Sequence, residues 1–171
     1  MKPGTLNPEP RTAFIGLGSN IEPETHLAAA VRLLAKRVRI TGVSPVYRTA
    51  PWGVPDQAPF LNAVLRVETG LEPEPLLDAL LDIERSCGRV RAVRYGPRTL
   101  DLDLLSYEGR VLNTERLTLP HPHLHERGFV LVPLSDLAPD WRHPVQGRTA
   151  SQLLAAVGRE GVAPSGFVLR T

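Results

Sequence analysis

Apolar and polar positions alternate from Thr12 onward, with Ala13, Ile15 and Leu17 on one face, which is the period of a strand with one side against a core. The period lengthens after Pro23, a residue suited to a first helical turn, and Leu27, Val31, Leu34, Ala35 and Val38 fall on one helical stripe. Arg39 to Thr49, rich in β-branched residues, reads as a second strand, and Ala50 to Ala58 as a Pro/Gly loop. Phe60 to Glu68 alternates again, with Leu61, Ala63, Leu65 and Val67 facing one way and Phe60, Asn62 and Val64 the other. A second amphipathic helix is predicted from Pro73 to Cys87 through Leu76, Leu80 and Ile83. Leu100 to Tyr107 follows as a strand with Leu100, Leu102 and Leu104 on its core face, and Glu108-Gly109 turns into a short strand near Val111.

The rest is less periodic. Leu119 to Arg127 is polar and His-rich, Phe129 to Leu137 is apolar, and Thr149 to Val157 reads as a last helix. Residues 1–11 hold three prolines and no pattern, so they read as a loose arm, and 159–171 read as a frayed C-terminal tail. The order β-α-β-β-α-β predicts an α+β fold, a ferredoxin-like core with a mainly antiparallel sheet and flanking helices, in a single domain over residues 12–158.

Composition narrows the setting more than the chemistry. A chain of 171 residues with 42% hydrophobic and 22% charged residues suits one globular domain. The net charge of +2 is low for a nucleic-acid binder, although 18 of the 20 basic residues are arginines, the side chain that grips phosphate bidentately. Cys87 is the only cysteine, which excludes an internal disulfide. With no signal-like start and no long apolar run, a cytoplasmic protein is expected, without membrane or nucleic acid as partner.

The candidate chemistry clusters in the second half. In Leu100-Asp101-Leu102-Asp103-Leu104-Leu105, residues two apart share a strand face about 6.5 Å apart, so Asp101 and Asp103 project together away from the leucines. Such a pair is a half-site for Mg²⁺ carried by ATP, the alternative being two solvated aspartates on an open face. Arg85, Arg89, Arg91, Arg94 and Arg98 come just before, in and around a loop bounded by Gly88 and Gly96, either as a polyanion flap or as a solvated basic loop. Pro120-His121-Pro122-His123-Leu124-His125-Glu126-Arg127 offers phosphate contacts from His121 and Arg127, or a zinc site, for which no cysteine lies nearby. Trp52, Phe60, Tyr95 and Phe129 could stack on a flat heterocycle while Thr49 and Asn62 meet its polar edge, or the aromatics could simply fill the core. Gly16-Leu17-Gly18-Ser19-Asn20 lacks the lysine of a P-loop, and no GxSxG elbow is present.

Several blocks, taken in order, carry a family resemblance. Gly16-Leu17-Gly18-Ser19-Asn20, Ser44 to Thr49, Phe60-Leu61-Asn62-Ala63, Gly88 to Arg91, Arg94 to Asp103, and Leu119-Pro120-His121 through Phe129 resemble the 6-hydroxymethyl-7,8-dihydropterin pyrophosphokinases across residues 12–158. The resemblance implies transfer of pyrophosphate from ATP to a pterin hydroxymethyl group, with AMP released, in tetrahydrofolate biosynthesis. By position, it implies that Asp101 and Asp103 hold two Mg²⁺ ions and that Arg89 and Arg98 act with them in catalysis. Glu84, Arg91, Leu104, Arg116, Thr118, His121 and Arg127 would join Arg89 and Arg98 at ATP. Thr49, Ala50, Trp52, Phe60, Asn62, Tyr95 and Phe129 would bind the pterin. The implied partners are those two small molecules, with no obligate protein partner. An RNA-binding module and a metal-dependent phosphodiesterase are the competing readings, the first weakened by the low charge and the absence of an RNP-type aromatic pattern.

Overall fold

The computed structural model describes residues 9–50, 56–88 and 99–171. Its centre is an antiparallel sheet. Strand β1 (Arg11–Ser19) lies between β4 (Phe60–Thr69) and β5 (Asp101–Tyr107), and β4 carries both β2 (Arg39–Val43) and β3 (Tyr47–Thr49) on its other edge. Helix α1 (Pro23–Leu34) and helix α2 (Pro73–Ser86) each connect two strands that are not sheet neighbours, giving the split β-α-β pairs of a ferredoxin-like fold. The mixed α+β architecture is the one expected from the sequence.

Both helices bury the stripe the periodicity marks. Leu27, Val31 and Leu34 of α1 and Leu76, Leu80 and Ile83 of α2 pack with Ala13, Ile15, Leu17, Leu65, Leu102 and Leu104 in one core. Helix α3 (Gly128–Leu137) and helix α4 (Ala150–Val157) cover the opposite face, where Phe14, Tyr47, Val64 and Leu105 meet Leu131, Leu134 and Leu153. The apolar run after Phe129 is thus a short helix buried on most sides, which explains why it shows no clean amphipathic period. Thr149 and Gln152 form a reciprocal cap that starts α4.

Three local departures have physical causes. The predicted strand over Arg39–Thr49 is broken at Ser44-Pro45, because proline offers no N–H to a ladder. Ser44 carries the pairing across the break: its N–H donates to the Val64 carbonyl at 3.0 Å, and its Oγ accepts the Val64 N–H at 2.8 Å. The tail is not frayed. Val162–Pro164 forms β8, antiparallel to β3, and Leu169 is buried in the first core. A three-residue strand with Pro164 in it has no sequence signature of its own, and its order comes from the neighbouring edge. Finally, β5 shifts register against β1 between Phe14 and Ile15, with Leu104 opposite Ile15 and Ser106 opposite Phe14. The surplus residue, Leu105, faces α3, and the shift returns Tyr107 to the α1/α2 core, where its hydroxyl donates to the Leu71 carbonyl at 2.6 Å.

Candidate active site

Directly paired residues of an antiparallel sheet share a face. Asp103 is paired with Gly16, Asp101 with Gly18, and Gly18 in turn with Asn62. Two acids therefore stand on one strand and an amide on another, and the strand between them carries glycines. The result is a glycine-floored trough on the α3 side of the sheet, lined also by Phe129 at the start of α3. Asp101 and Asp103 point away from Leu102 and Leu104, as the alternation requires, and both are half-buried.

At the amide end, Asn62 Nδ2 donates to Thr49 Oγ1 at 2.7 Å, and both side chains are buried. That bond turns Asn62 Oδ1 over Gly18, where a β-carbon would sit only 2.9 Å from it. Phe60 and Asn62 share this face, and Phe60 is paired with Thr49. Ala50 follows Thr49 at the exposed end of β3. Asn20, just past β1, ties down the neighbouring loop by donating to Gln57 Oε1 at 2.9 Å and to the Ala58 carbonyl at 3.0 Å.

At the acidic end, the bulge positions the His-rich segment. His121 N–H donates to the Leu105 carbonyl at 2.8 Å, and His121 Nδ1 accepts the His123 N–H at 3.2 Å. Burial, followed by the Arg127 and His123 charges, pushes the His121 imidazole down to about 4, against the opposing pull of Asp101. His121 is consequently neutral at pH 7, and with Nδ1 accepting, its proton sits on Nε2 as a donor. The Arg127 guanidinium lies 5.6 Å from the Phe129 ring centroid, so a cation and a stacking face are held together where α3 begins.

Other expected site residues are placed differently. The Leu104 side chain is buried in the α1/α2 core, on the face opposite the aspartates, because strand alternation carries it there. Glu84, on α2, is 3% exposed and accepts the Leu102 N–H at 2.9 Å. Arg116 reaches α2, hydrogen-bonding Asp78 with Glu74 at 3.9 Å, while Thr118 is half-buried in a two-residue strand, β7 (Thr118–Leu119), paired with β6 (Leu112–Asn113). Trp52, Arg89, Arg91, Tyr95 and Arg98 lie outside the described residues. Among the described residues no three His, Cys, Asp or Glu side chains converge as a metal cage. Sequence reading missed the role of Gly16 and Gly18. Their signal is two glycines on the same face of a strand that otherwise reads as buried.

An acidic pair, a neutral imidazole donor and an arginine around a cleft on an antiparallel α+β sheet are the equipment of a phosphate-transferring enzyme. Comparison with known proteins fixes which one. Residues 14–139 match the family 7,8-dihydro-6-hydroxymethylpterin-pyrophosphokinase (HPPK). The chain is 46% identical over 153 residues to the 2-amino-4-hydroxy-6-hydroxymethyldihydropteridine pyrophosphokinase of Methylorubrum extorquens, covering 88% of this chain and 96% of that protein. It is 47% identical over 152 residues to the Pseudomonas aeruginosa protein of the same name, covering 87% and 93%. In fold it is similar to the crystal structure of wild-type HPPK-DHPS from Plasmodium falciparum, with a TM-score of 0.72 at 15% identity, covering 86% of this chain and 45% of that longer one. The chain belongs to the HPPK family, and its reaction is pyrophosphate transfer in folate biosynthesis. Neither the RNA-binding nor the phosphodiesterase reading is favoured by these relatives.

Proposed function

We propose that the trough binds 6-hydroxymethyl-7,8-dihydropterin at its Asn62 end and the ATP phosphates at its Asp101 end, so that the two meet above Gly16 and Gly18. The observation that carries this is the cross-strand row Asn62–Gly18–Asp101, which sets an amide and a carboxylate on one face with no side chain between them. Asn62 Oδ1, oriented through Thr49, offers an acceptor to the amino and amide N–H groups of a pterin edge, and Phe60 and Phe129 offer ring faces. The pterin hydroxymethyl oxygen attacks the β-phosphorus and gives up its proton to water, the bond from that phosphorus to the α–β bridging oxygen breaks, and AMP leaves with the bridging oxygen.

The donor set fits magnesium: two carboxylates supply hard oxygen ligands, and with no third acid or histidine converging among the described residues, substrate phosphates are left to complete the shell. Asp101 and Asp103 would hold two Mg²⁺ ions, which when bound offset the charge of the phosphate oxygens. His121 donates Nε2–H to a phosphate oxygen while remaining neutral, and Arg127 supplies fixed positive charge. Thr118, Arg116 and Arg91 would join Arg89 and Arg98 at ATP, with Arg89 and Arg98 meeting the triphosphate. Ala50, Trp52 and Tyr95 complete the pterin side. No helix among the described residues is long and apolar enough to cross a membrane, and we assign the enzyme to the cytoplasm, where both small-molecule substrates are available.

Incubation with Mg²⁺ and ATP tests the reading. AMP should form only when hydroxymethyl-dihydropterin is present, in equal amount to the pterin diphosphate. ADP as the nucleotide product, or AMP formed without the pterin, would refute it.

A further inference from the structure

We infer that Glu84 is a positioning residue for the acidic pair, holding the strand that bears it, and is not a nucleotide ligand. The inference rests on the functional reading above, because its target is the metal-binding strand. Among the described residues, strand β5 is the outer strand of the main sheet, with β1 on one side only. Along such a strand, successive N–H groups point alternately toward the neighbour and away from it. The Leu102 N–H is one that points away, and without a partner it would be a buried orphan at the very residue between Asp101 and Asp103. Leu102 itself is 4% exposed, so water does not serve that site. Glu84 supplies the missing acceptor at 2.9 Å from a side chain 3% exposed on α2. The bond does for this N–H what a sheet neighbour would do. It pins the peptides flanking Leu102, and with them the separation and direction of the two carboxylates. At 3% exposure the Glu84 carboxylate also has little open surface to offer a nucleotide.

The two roles make opposite demands on the side chain. An anchor needs an acceptor at the reach of Glu and needs no charge; a charge-based role needs the charge. Glu84→Gln keeps reach and acceptor while losing charge. Glu84→Asp keeps charge while losing one methylene of reach. Two readouts are taken, amide hydrogen exchange at Leu102 in the ligand-free protein, and the Mg²⁺ concentration that half-saturates binding of α,β-methylene-ATP by calorimetry. Glu84→Gln is expected to resemble the native protein in both. Glu84→Asp should speed Leu102 exchange and weaken metal uptake by about tenfold, the usual cost of losing support behind a metal ligand. The reverse ranking, with Gln impaired and Asp native-like, would overturn the anchor, as would fast exchange in Glu84→Asp with unchanged metal uptake. Failure of the native chain to bind any metal–nucleotide would overturn the functional reading instead, and would be seen before either variant is compared.

Discussion

Single side chains in this molecule separate into those that shape the trough and those proposed to act on the phosphates within it. Gly18 shapes it. A β-carbon there would meet Asn62 Oδ1 at 2.9 Å, whereas one at Gly16 would make ordinary 3.5 Å contact with Leu105. Gly18→Ala should therefore turn Asn62 away from Thr49 and raise the pterin KM by about tenfold or more, the value of one well-made polar contact, while the ATP KM holds. Steady-state kinetics with each substrate varied would show the split. In the proposed reading, Asp101→Ala and Asp103→Ala act on the reaction itself. Each should lower kcat by at least about 10²–10³-fold with an unchanged thermal midpoint, since neither acid is part of a hydrophobic core. His121 links the site to pH. Its folded value of about 4 lies below the ordinary 6.5, so between those values the unfolded chain holds more protons than the native one. The stability this gives is complete above pH 6.5 and lost as pH falls toward 4; His143, lowered chiefly by burial, acts in the same direction. Urea midpoints should fall across that window, and His121→Gln should reduce the slope.

At the scale of elements, what could be read in advance was whatever local pattern alone decides. The stripes Leu27–Val31–Leu34 and Leu76–Leu80–Ile83 are buried as their spacing demands, and the alternation of Leu100 to Leu104 places both acids on one face. Leu80→Ala should accordingly cost about 2–5 kcal/mol in denaturant unfolding, because Leu80 is fully buried with no room to collapse into solvent. The trough was not legible, because it exists only once β1, β4 and β5 are in register. Nor was the Glu84 bond, since a helical glutamate beside an isoleucine looks like any solvated acid until an edge strand arrives next to it. The swap of Leu104-Leu105 for a clean alternation was visible as a doubled leucine. Its meaning, a bulge that carries His121, depends on a segment sixteen residues further on.

For the whole molecule, the larger correction concerns where the fold ends. The loose tail expected over 159–171 contains β8, on the free edge of β3, and Leu169, 6% exposed. Tyr47 and Thr49 lie on β3, so the tail supports the strand that orients Asn62. A chain ending after Gly158 should melt several degrees lower, in line with about 1 kcal/mol or more for a lost leucine contact and edge ladder, and should bind pterin more weakly. Differential scanning calorimetry and pterin titration would measure both. Midpoints unchanged on truncation would show that the edge is dispensable.

Leu105 has a consequence for how this gene can vary. Because the extra residue both resets the inward face at Tyr107 and lends its carbonyl to His121, the stretch from Asp103 to Tyr107 works as a phase adjuster between two otherwise incompatible rhythms. Excising that one leucine would leave Ser106 opposite Phe14 and Tyr107 opposite Ala13, yet take away the carbonyl to which the histidine is tied and cast it adrift. Natural insertions and deletions should therefore spare this stretch and collect in the turn at Glu108-Gly109 just beyond it.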